Sequence, residues 1–268
     1  MALPGTPSLI VLMTDFGTEH WYVAAMKGEI LARAPDAMIL DLSHHVSRHA
    51  VDQAAFILHC AIDSFPRRTI FCCVVDPGVG SGRRSLVGWA AGWGFVGPDN
   101  GLVTPLIERD KNFRLHEIKS QIFRNERVCA TFHGRDVFAP AAARLLLGDD
   151  PRMAGPRVDD PVRLPPIQAE NVAGVVQGRV MMIDHFGNAV TNVQQFGDEE
   201  NAAGQFEMTL RSLKLTEIDS IYQEKPKGKP LCYWGSSGFL EIAVNYGSAA
   251  ETYGIQIGDP IAVRFSPR

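Results

Sequence analysis

Five short polar stretches carry residue types that could do chemistry. In Val74-Val75-Asp76-Pro77-Gly78-Val79-Gly80 a carboxylate ends an apolar run, and Arg83 and Arg84 follow shortly after. Pro and Gly fix a tight turn there, so a returning guanidinium can pair with Asp76; the other reading is a plain turn with surface arginines. Thr131-Phe132-His133-Gly134-Arg135-Asp136 places an imidazole, a cation and a carboxylate in one loop before a helical pattern. An imidazole titrates near neutrality and suits acid-base work, unless Asp136 simply caps the helix and His133 is structural. Asp15, in Thr14-Asp15-Phe16-Gly17, ends the first apolar run. A carboxylate there can accept two hydrogen bonds at once, as a ribose diol requires, or it can start a helix. Asp184-His185-Phe186-Gly187-Asn188-Ala189-Val190-Thr191-Asn192 is either a hairpin turn or a site for a ligand bearing an ammonium group. Gly235 to Asn245, with Ser236, Ser237 and Glu241, is a further polar loop running into a strand.

Other chemistries lack their residues. The eight histidines form no HExxH or similar spacing, and His44 and His45 would point apart in a strand, so no metal site is expected. The cysteines, Cys60, Cys72, Cys73, Cys129 and Cys232, form no CxxC; buried free thiols are expected, with Cys72 and Cys73 on opposite faces of one strand. There is no GxSxG, and Gly78-Val79-Gly80-Ser81-Gly82 lacks the GxGxxG spacing. A net charge of -4 gives no reason to expect nucleic acid or an anionic membrane as partner, and favours a small polar or cationic ligand. Leu9 to Met13 is too short an apolar run to cross a bilayer, and the preceding residues carry no basic stretch, so a cytoplasmic protein is expected.

These stretches need elements to hold them. The chain has 268 residues, 46% of them hydrophobic and 21% charged, enough for one large core or two smaller ones. Its first half alternates strand and helix patterns. Leu9 to Thr14, Ala37 to Leu42 and Thr69 to Val75 read as strands, and Trp21 to Ala34 and residues 50–63 as amphipathic helices. This predicts an α/β domain, residues 1–148, with a largely parallel sheet and its ligand off the carboxyl ends of the strands. Further strands fall at Ser85 to Trp89 and Gly94 to Gly97, then a Pro98-Asp99-Asn100-Gly101 turn and a helix at Val137 to Leu147. Five prolines between Asp149 and Pro166 predict a linker, residues 149–170. From residue 171 to 268 the pattern is strand-only, with Val175 to Ile183, Ala189 to Val193, Gln205 to Leu210, Phe239 to Val244 and Ile261 to Phe265. A small β-barrel or sandwich is expected there.

Taken in order, the Asp15, Asp76, Asp99, His133, Asp184 and Ser236 stretches resemble the S-adenosylmethionine (SAM) hydroxide adenosyltransferases, also called SAM hydrolases, across nearly the whole chain. The resemblance implies hydrolysis of SAM to adenosine and L-methionine by water attacking the ribose C5′. It also implies a homotrimer whose sites are shared between the N-terminal domain of one subunit and the C-terminal domain of its neighbour. The family's water-holding Asp, Arg and His fall on Asp76, Arg83 and His133, with Arg84 one residue away from the arginine position. Asp15 would take the ribose hydroxyls, with Phe132 and Gly134 beside it. Asp184 would meet the methionine ammonium and Ser236 its carboxylate. Phe186, Asn188, Glu241, Val244 and Asn245 match positions near the adenine or methionine ends. Ser236-Ser237 departs from the Ser-Arg of halogenating relatives, while His133 departs toward water as nucleophile. No cofactor is implied: a sulfonium leaves as a neutral thioether and needs no Lewis acid. The alternatives are a halide-dependent adenosyltransferase of the chlorinase or fluorinase kind, and a non-catalytic adenosine- or SAM-binding protein.

Overall fold

The computed structural model describes residues 9–90, 92–195 and 205–266, and the chain divides into two compact units between Pro165 and Pro166. The first unit contains β1 (Leu9–Thr14), α1 (Tyr22–Arg33), β2 (Met38–Ser43), α2 (Val51–Ala61) and β3 (Thr69–Val74). It continues with β4 (Ser85–Trp89), β5 (Trp93–Pro98), α3 (Thr104–Arg109), β6 (Arg114–Glu117), α4 (Ala139–Leu146) and β7 (Arg157–Val158). The seven strands lie in the order β2-β1-β3-β5-β4-β6-β7.

Only part of this sheet is parallel. The strands β2, β1, β3 and β5 run parallel, whereas β4, β6 and β7 extend the sheet antiparallel. The connection from Trp89 to Trp93 is too short for a crossover, so it can only reverse the chain. β1 and β3 are buried throughout, and the alternation of their side chains builds two cores. Ile10, Leu12, Ile70, Cys72 and Val74 pack with Met26 and Ile30 of α1 and the alanines of α4. Leu9, Val11, Met13, Phe71 and Cys73 pack with Ala54 and Leu58 of α2 and Leu106 of α3. Cys72 and Cys73 therefore do face opposite layers, and burial pushes the Cys72 thiol up to about 12. None of the five cysteines is in a disulfide, but Cys129 is exposed and Cys60 half-buried, so the buried-thiol reading holds for Cys72, Cys73 and Cys232. His44 is buried and His45 exposed, in the loop that follows β2 rather than in the strand itself.

The boundary between the units falls within the expected linker, residues 149–170, and the part before it packs onto the first sheet. β7 pairs with β6, Glu117 and Lys119 donate backbone hydrogen bonds to Pro156 and Ala154, and Val162 donates to the Asp99 carboxylate. Prolines deny the segment donors of its own, yet its carbonyls and remaining amides still reach the sheet edge.

The second unit holds β8 (Glu170–Val172), β9 (Val175–Ile183), β10 (Ala189–Gln194), β11 (Gln205–Leu210) and β12 (Leu213–Leu215). It ends with β13 (Pro230–Trp234), β14 (Phe239–Val244), α5 (Ala249–Tyr253) and β15 (Pro260–Ser266). All pairings in its eight-stranded, barrel-like sheet are antiparallel, in the order β12-β11-β15-β9-β10-β14-β13 with β8 beside β9. Val176, Val180, Val193, Met208, Leu240 and Ile242 form its core. The unit is not strand-only: Ser248 caps α5 by accepting from the Glu251 amide at 3.1 Å, and Gly254 at φ +63° closes it. Among the described residues no helix is long and apolar enough to cross a membrane.

Candidate active site

The carboxyl ends of β1 and β3 and the loop before α4 meet around a cavity of about 500 Å³ in the first unit. Asp76 lies on its wall, and Arg83 closes on that carboxylate. Arg83 Nε donates to both Asp76 oxygens at 3.0 Å, and Nη2 adds a shorter contact to Oδ2. Nη1 donates to Ser85 Oγ at 2.6 Å, and Nη2 reaches His133 Nδ1 at 2.8 Å. A guanidinium can only donate, so His133 Nδ1 accepts, and the imidazole is neutral with its hydrogen on Nε2. Burial, and then the Arg83 charge, hold His133 below its ordinary pKa against the opposing pull of Asp76 and Asp136.

The surroundings explain why these three groups meet. Asn100 Nδ2 donates to the Val75 carbonyl at 2.8 Å and fixes the chain just before Asp76. Ser81 Oγ donates to the Gly78 carbonyl at 2.7 Å and tightens the turn that brings Arg83 back. Gly80, at φ +77°, lies so close to the next loop that a Cβ there would stand 2.5 Å from the Ala130 carbonyl oxygen. That loop is tied by Asp136, which accepts from the Cys129 amide at 2.8 Å, Asn125 Nδ2 at 3.0 Å and Arg135 Nε at 2.7 Å. The helical pattern after His133 opens as a π-helical turn, Gly134–Phe138, and then becomes α4. Arg84 faces elsewhere: Nε donates to Asp99 at 2.6 Å and Nη1 to Asp160 at 2.7 Å. The geometry therefore separates the two candidate arginines, with Arg83 bonded to Asp76 and His133 of the cavity lining and Arg84 as a tie to the proline-rich segment.

Asp15 also lines this cavity. One of its oxygens accepts from the His49 amide at 3.0 Å, with His49 held at φ +66°, and the other accepts no hydrogen bond from the described residues. Behind it, Thr14 Oγ1 and His44 Nδ1 share a hydrogen bond of 2.9 Å. Tyr22, Phe16 and Phe132 form an edge-to-face aromatic wall, the Tyr22 and Phe132 centroids being 5.2 Å apart. Gly134 fits where a Cβ would meet Met26 Sδ at 3.1 Å.

The second unit carries a cavity of its own, about 590 Å³, lined by Phe186, Asn188, Tyr222, Val244, Tyr246 and Gly247. Asp184 shapes it from behind. Its Oδ1 accepts from the Phe186 and Asn188 amides at 2.8 Å each, and its Oδ2 from Asn188 Nδ2 at 2.8 Å. The carboxylate thus organises the turn between β9 and β10, in which Gly187 at φ +82° packs against Ser248. Asn188 Nδ2 also donates to Tyr222 Oη at 3.2 Å; Tyr222 and Tyr233 hydroxyls are 2.6 Å apart, and Tyr233 donates to Glu241 at 2.6 Å. Among the described residues, no three His, Cys, Asp or Glu side chains gather as a metal-ligand set.

The family models for the SAM hydroxide adenosyltransferase N-terminal and C-terminal domains match residues 10–155 and 178–262. The chain belongs to the SAM hydroxide adenosyltransferase family. Its match to an (R)-S-adenosyl-L-methionine hydrolase of Thermus thermophilus is 37% identical over 94% of this chain and 98% of the relative. A fluorinase of an Actinoplanes species is 28% identical, over 98% of this chain and 99% of its own. The crystal structure of an uncharacterized conserved protein from Thermotoga maritima superposes with a TM-score of 0.86 at 31% identity, covering 95% of this chain and 99% of that one.

Within this adenosyltransferase chain the expected residues divide into two sets. Asp15, Asp76, Phe132, His133 and Gly134 line the first cavity, with Arg83 bonded to two of them. Phe186, Asn188 and Val244 line the second. Glu241 is not on that lining but sits at the far end of the tyrosine chain, pressed against Gly235. Ser236 is exposed on the turn between β13 and β14, outside both linings. Asn245 is buried and donates to the Lys225 carbonyl at 2.7 Å, so it holds a loop rather than facing the cavity. Sequence reasoning missed Tyr22, Arg48 and His49 in the first cavity and Tyr222 and Tyr246 in the second. For Tyr22 a signal existed, an aromatic pair opening the first helix; the others sit in loops without a distinguishing pattern.

Proposed function

We propose that this chain hydrolyses S-adenosyl-L-methionine to adenosine and L-methionine, water displacing the thioether at the ribose C5′. The single observation that carries the reading is the Asp76–Arg83–His133 group on the wall of the first cavity, in a chain whose relatives at 32–37% identity are named hydrolases. Those names specify the (R) epimer at sulfur, and we extend that preference to this chain. Attack by neutral water on C5′ yields an alkyl oxonium while the C5′–S pair returns to sulfur as a neutral thioether. The oxonium is a strong acid, so a carboxylate suffices to take its proton, and orientation of the water becomes the main requirement. His133 Nε2–H and the Asp76 carboxylate are suited to hold that water, with Arg83 fixing both. Asp15, with one oxygen uncommitted, suits the ribose hydroxyls. The leaving group calls for neither metal nor cofactor. The small-molecule substrate fits cavities of this size.

A homotrimer with shared sites fits the division of the expected residues between two separate cavities. It also fits the edge strand β2, where Met38 is 60% and Leu40 47% exposed, an apolar edge that an assembly would cover. Cysteines outside any disulfide fit a reducing, cytoplasmic compartment.

Chromatography of purified protein with each sulfur epimer of SAM should show equimolar adenosine and methionine, faster from the (R) epimer. Products that appear only when halide is added would transfer the chain to the halogenating class, and adenosine binding without turnover would make it a binding protein. Co-assembly of His133→Ala chains with Asp184→Ala chains should restore part of the activity; assemblies no better than either variant alone would rule out shared sites.

A further inference from the structure

The tyrosine chain of the second unit has a direction that the donors and acceptors dictate. An ionised Glu241 has no hydrogen to give, so Tyr233 donates to it, at 2.6 Å. The Tyr233 oxygen then accepts from the Tyr222 hydroxyl at 2.6 Å, and the Tyr222 oxygen accepts from Asn188 Nδ2 at 3.2 Å. The second hydrogen of that amide goes to Asp184 Oδ2 at 2.8 Å. Both hydrogens of the Asn188 amide are thereby spent. Its carbonyl Oδ1 accepts no hydrogen bond from any described residue, and Asn188 lines a cavity whose other walls include Phe186, Tyr222 and Tyr246. Neither Tyr233 nor Glu241 is on that lining.

We propose that Tyr233 and Glu241 are positioning residues that lock the Asn188 carboxamide with its oxygen as the available atom, so that the aromatic cavity selects a planar base whose edge donates a hydrogen bond over one whose edge accepts. A free carboxamide could rotate and serve either edge, because its oxygen and nitrogen are nearly the same shape. Here rotation would turn an acceptor toward the Asp184 carboxylate, bringing oxygen against oxygen and leaving Tyr222 without its donor. The selectivity comes from leaving a buried polar group unpaired with the wrong ligand, the kind of discrimination that exceeds what shape alone provides. This rests on the functional reading and adds to it that the nucleoside base occupies the second cavity.

Adenosine and inosine carry an amino group and a carbonyl at the same ring position and make the direct probe. Calorimetry on the full chain should give a clear preference for adenosine, and Tyr233→Phe should lower the adenosine-to-inosine affinity ratio about tenfold. In steady-state kinetics the same variant should raise KM for SAM with little change in kcat, since the relay touches no reacting atom. Because the hydroxyls act in series, Tyr222→Phe combined with Tyr233→Phe should be no less selective than Tyr222→Phe alone. Glu241→Gln, which keeps an acceptor oxygen, should preserve the ratio that Glu241→Leu loses, and this pair decides the matter if Tyr233→Phe does not fold. An unchanged ratio in folded Tyr233→Phe, or additive losses in the double variant, would overturn the proposal. A chain that discriminates the two nucleosides without turning over SAM refutes the hydrolase and leaves the relay standing; turnover without discrimination refutes the relay.

Discussion

The two cavities solve opposite problems with opposite materials. In the first unit, charged groups stand at the carboxyl ends of parallel strands packed between two buried cores, where Asp76 and Arg83 neutralise each other and the neutral His133 accepts from Arg83. In the second unit the cavity is walled by aromatic rings on loops of an antiparallel sheet, and its Asn188 and Tyr222 side chains belong to one hydrogen-bond chain that runs on to Tyr233 and Glu241. A rigid charged wall can hold a water in line for attack, whereas aromatic faces and a fixed amide recognise without reacting. Under the proposed function, the first unit would carry the chemistry together with the ribose contact at Asp15, and the second unit the recognition of the base.

That contrast breaks most decisively at the water-holding group. His133→Ala and Asp76→Ala should each lower kcat by about 10²- to 10⁴-fold, while adenosine affinity changes by no more than about tenfold. Full kcat in His133→Ala would make the imidazole structural. Asp15→Ala should show the reverse pattern, weakening adenosine binding by roughly 1–3 kcal/mol in calorimetry because the ribose hydroxyls lose a charged acceptor.

Acidity sharpens the comparison further. His133 must be neutral to accept from Arg83, and its pKa is held below the ordinary imidazole value. Hydrolysis should therefore stay level as pH falls through the ordinary imidazole range. Below it, kcat should decline by up to about tenfold per pH unit as the ring protonates, repels Arg83 and loses its acceptor. A rate that rises on acidification would show that the protonated ring is the working form. The smallest expected effect is that of a chelator, which should leave kcat unchanged; loss of activity reversed by a divalent ion would give the first cavity a metal.

How far the sequence revealed these regions differs between them. Continuous apolar runs marked β1 and β3 because both faces of those strands are buried, and Asp15 and Asp76 could be placed at their ends on that ground alone. The choice between Arg83 and Arg84 was not legible, since adjacent residues differ only in where a turn aims them. β6 and β7 are short and lie toward the sheet's edge, so neither carries a long apolar signal, and the prolines around β7 read as a linker. α3 was hidden by Pro105 near its start, and α5 by its brevity, although Ser248 and Glu251 form a capping pair that a closer reading would catch. Tyr222 and Tyr233 lie on different elements and meet only through a loop, so nothing in their spacing announced a shared hydrogen-bond chain. Asp184 was legible as either a turn former or a ligand-binding carboxylate, because the two look alike in sequence; the structure shows it organising the turn.

The contact between Gly80 and the Ala130 carbonyl carries a lesson for anyone wishing to re-engineer this protein. A side chain at residue 80 would have to displace that carbonyl, and with it the segment that delivers His133 to Arg83. The arginine turn and the histidine loop are thus a single interlocked part. Libraries that randomise one while freezing the other will mostly sample jammed sites, and drift in a descendant lineage should alter the two in concert or leave both alone.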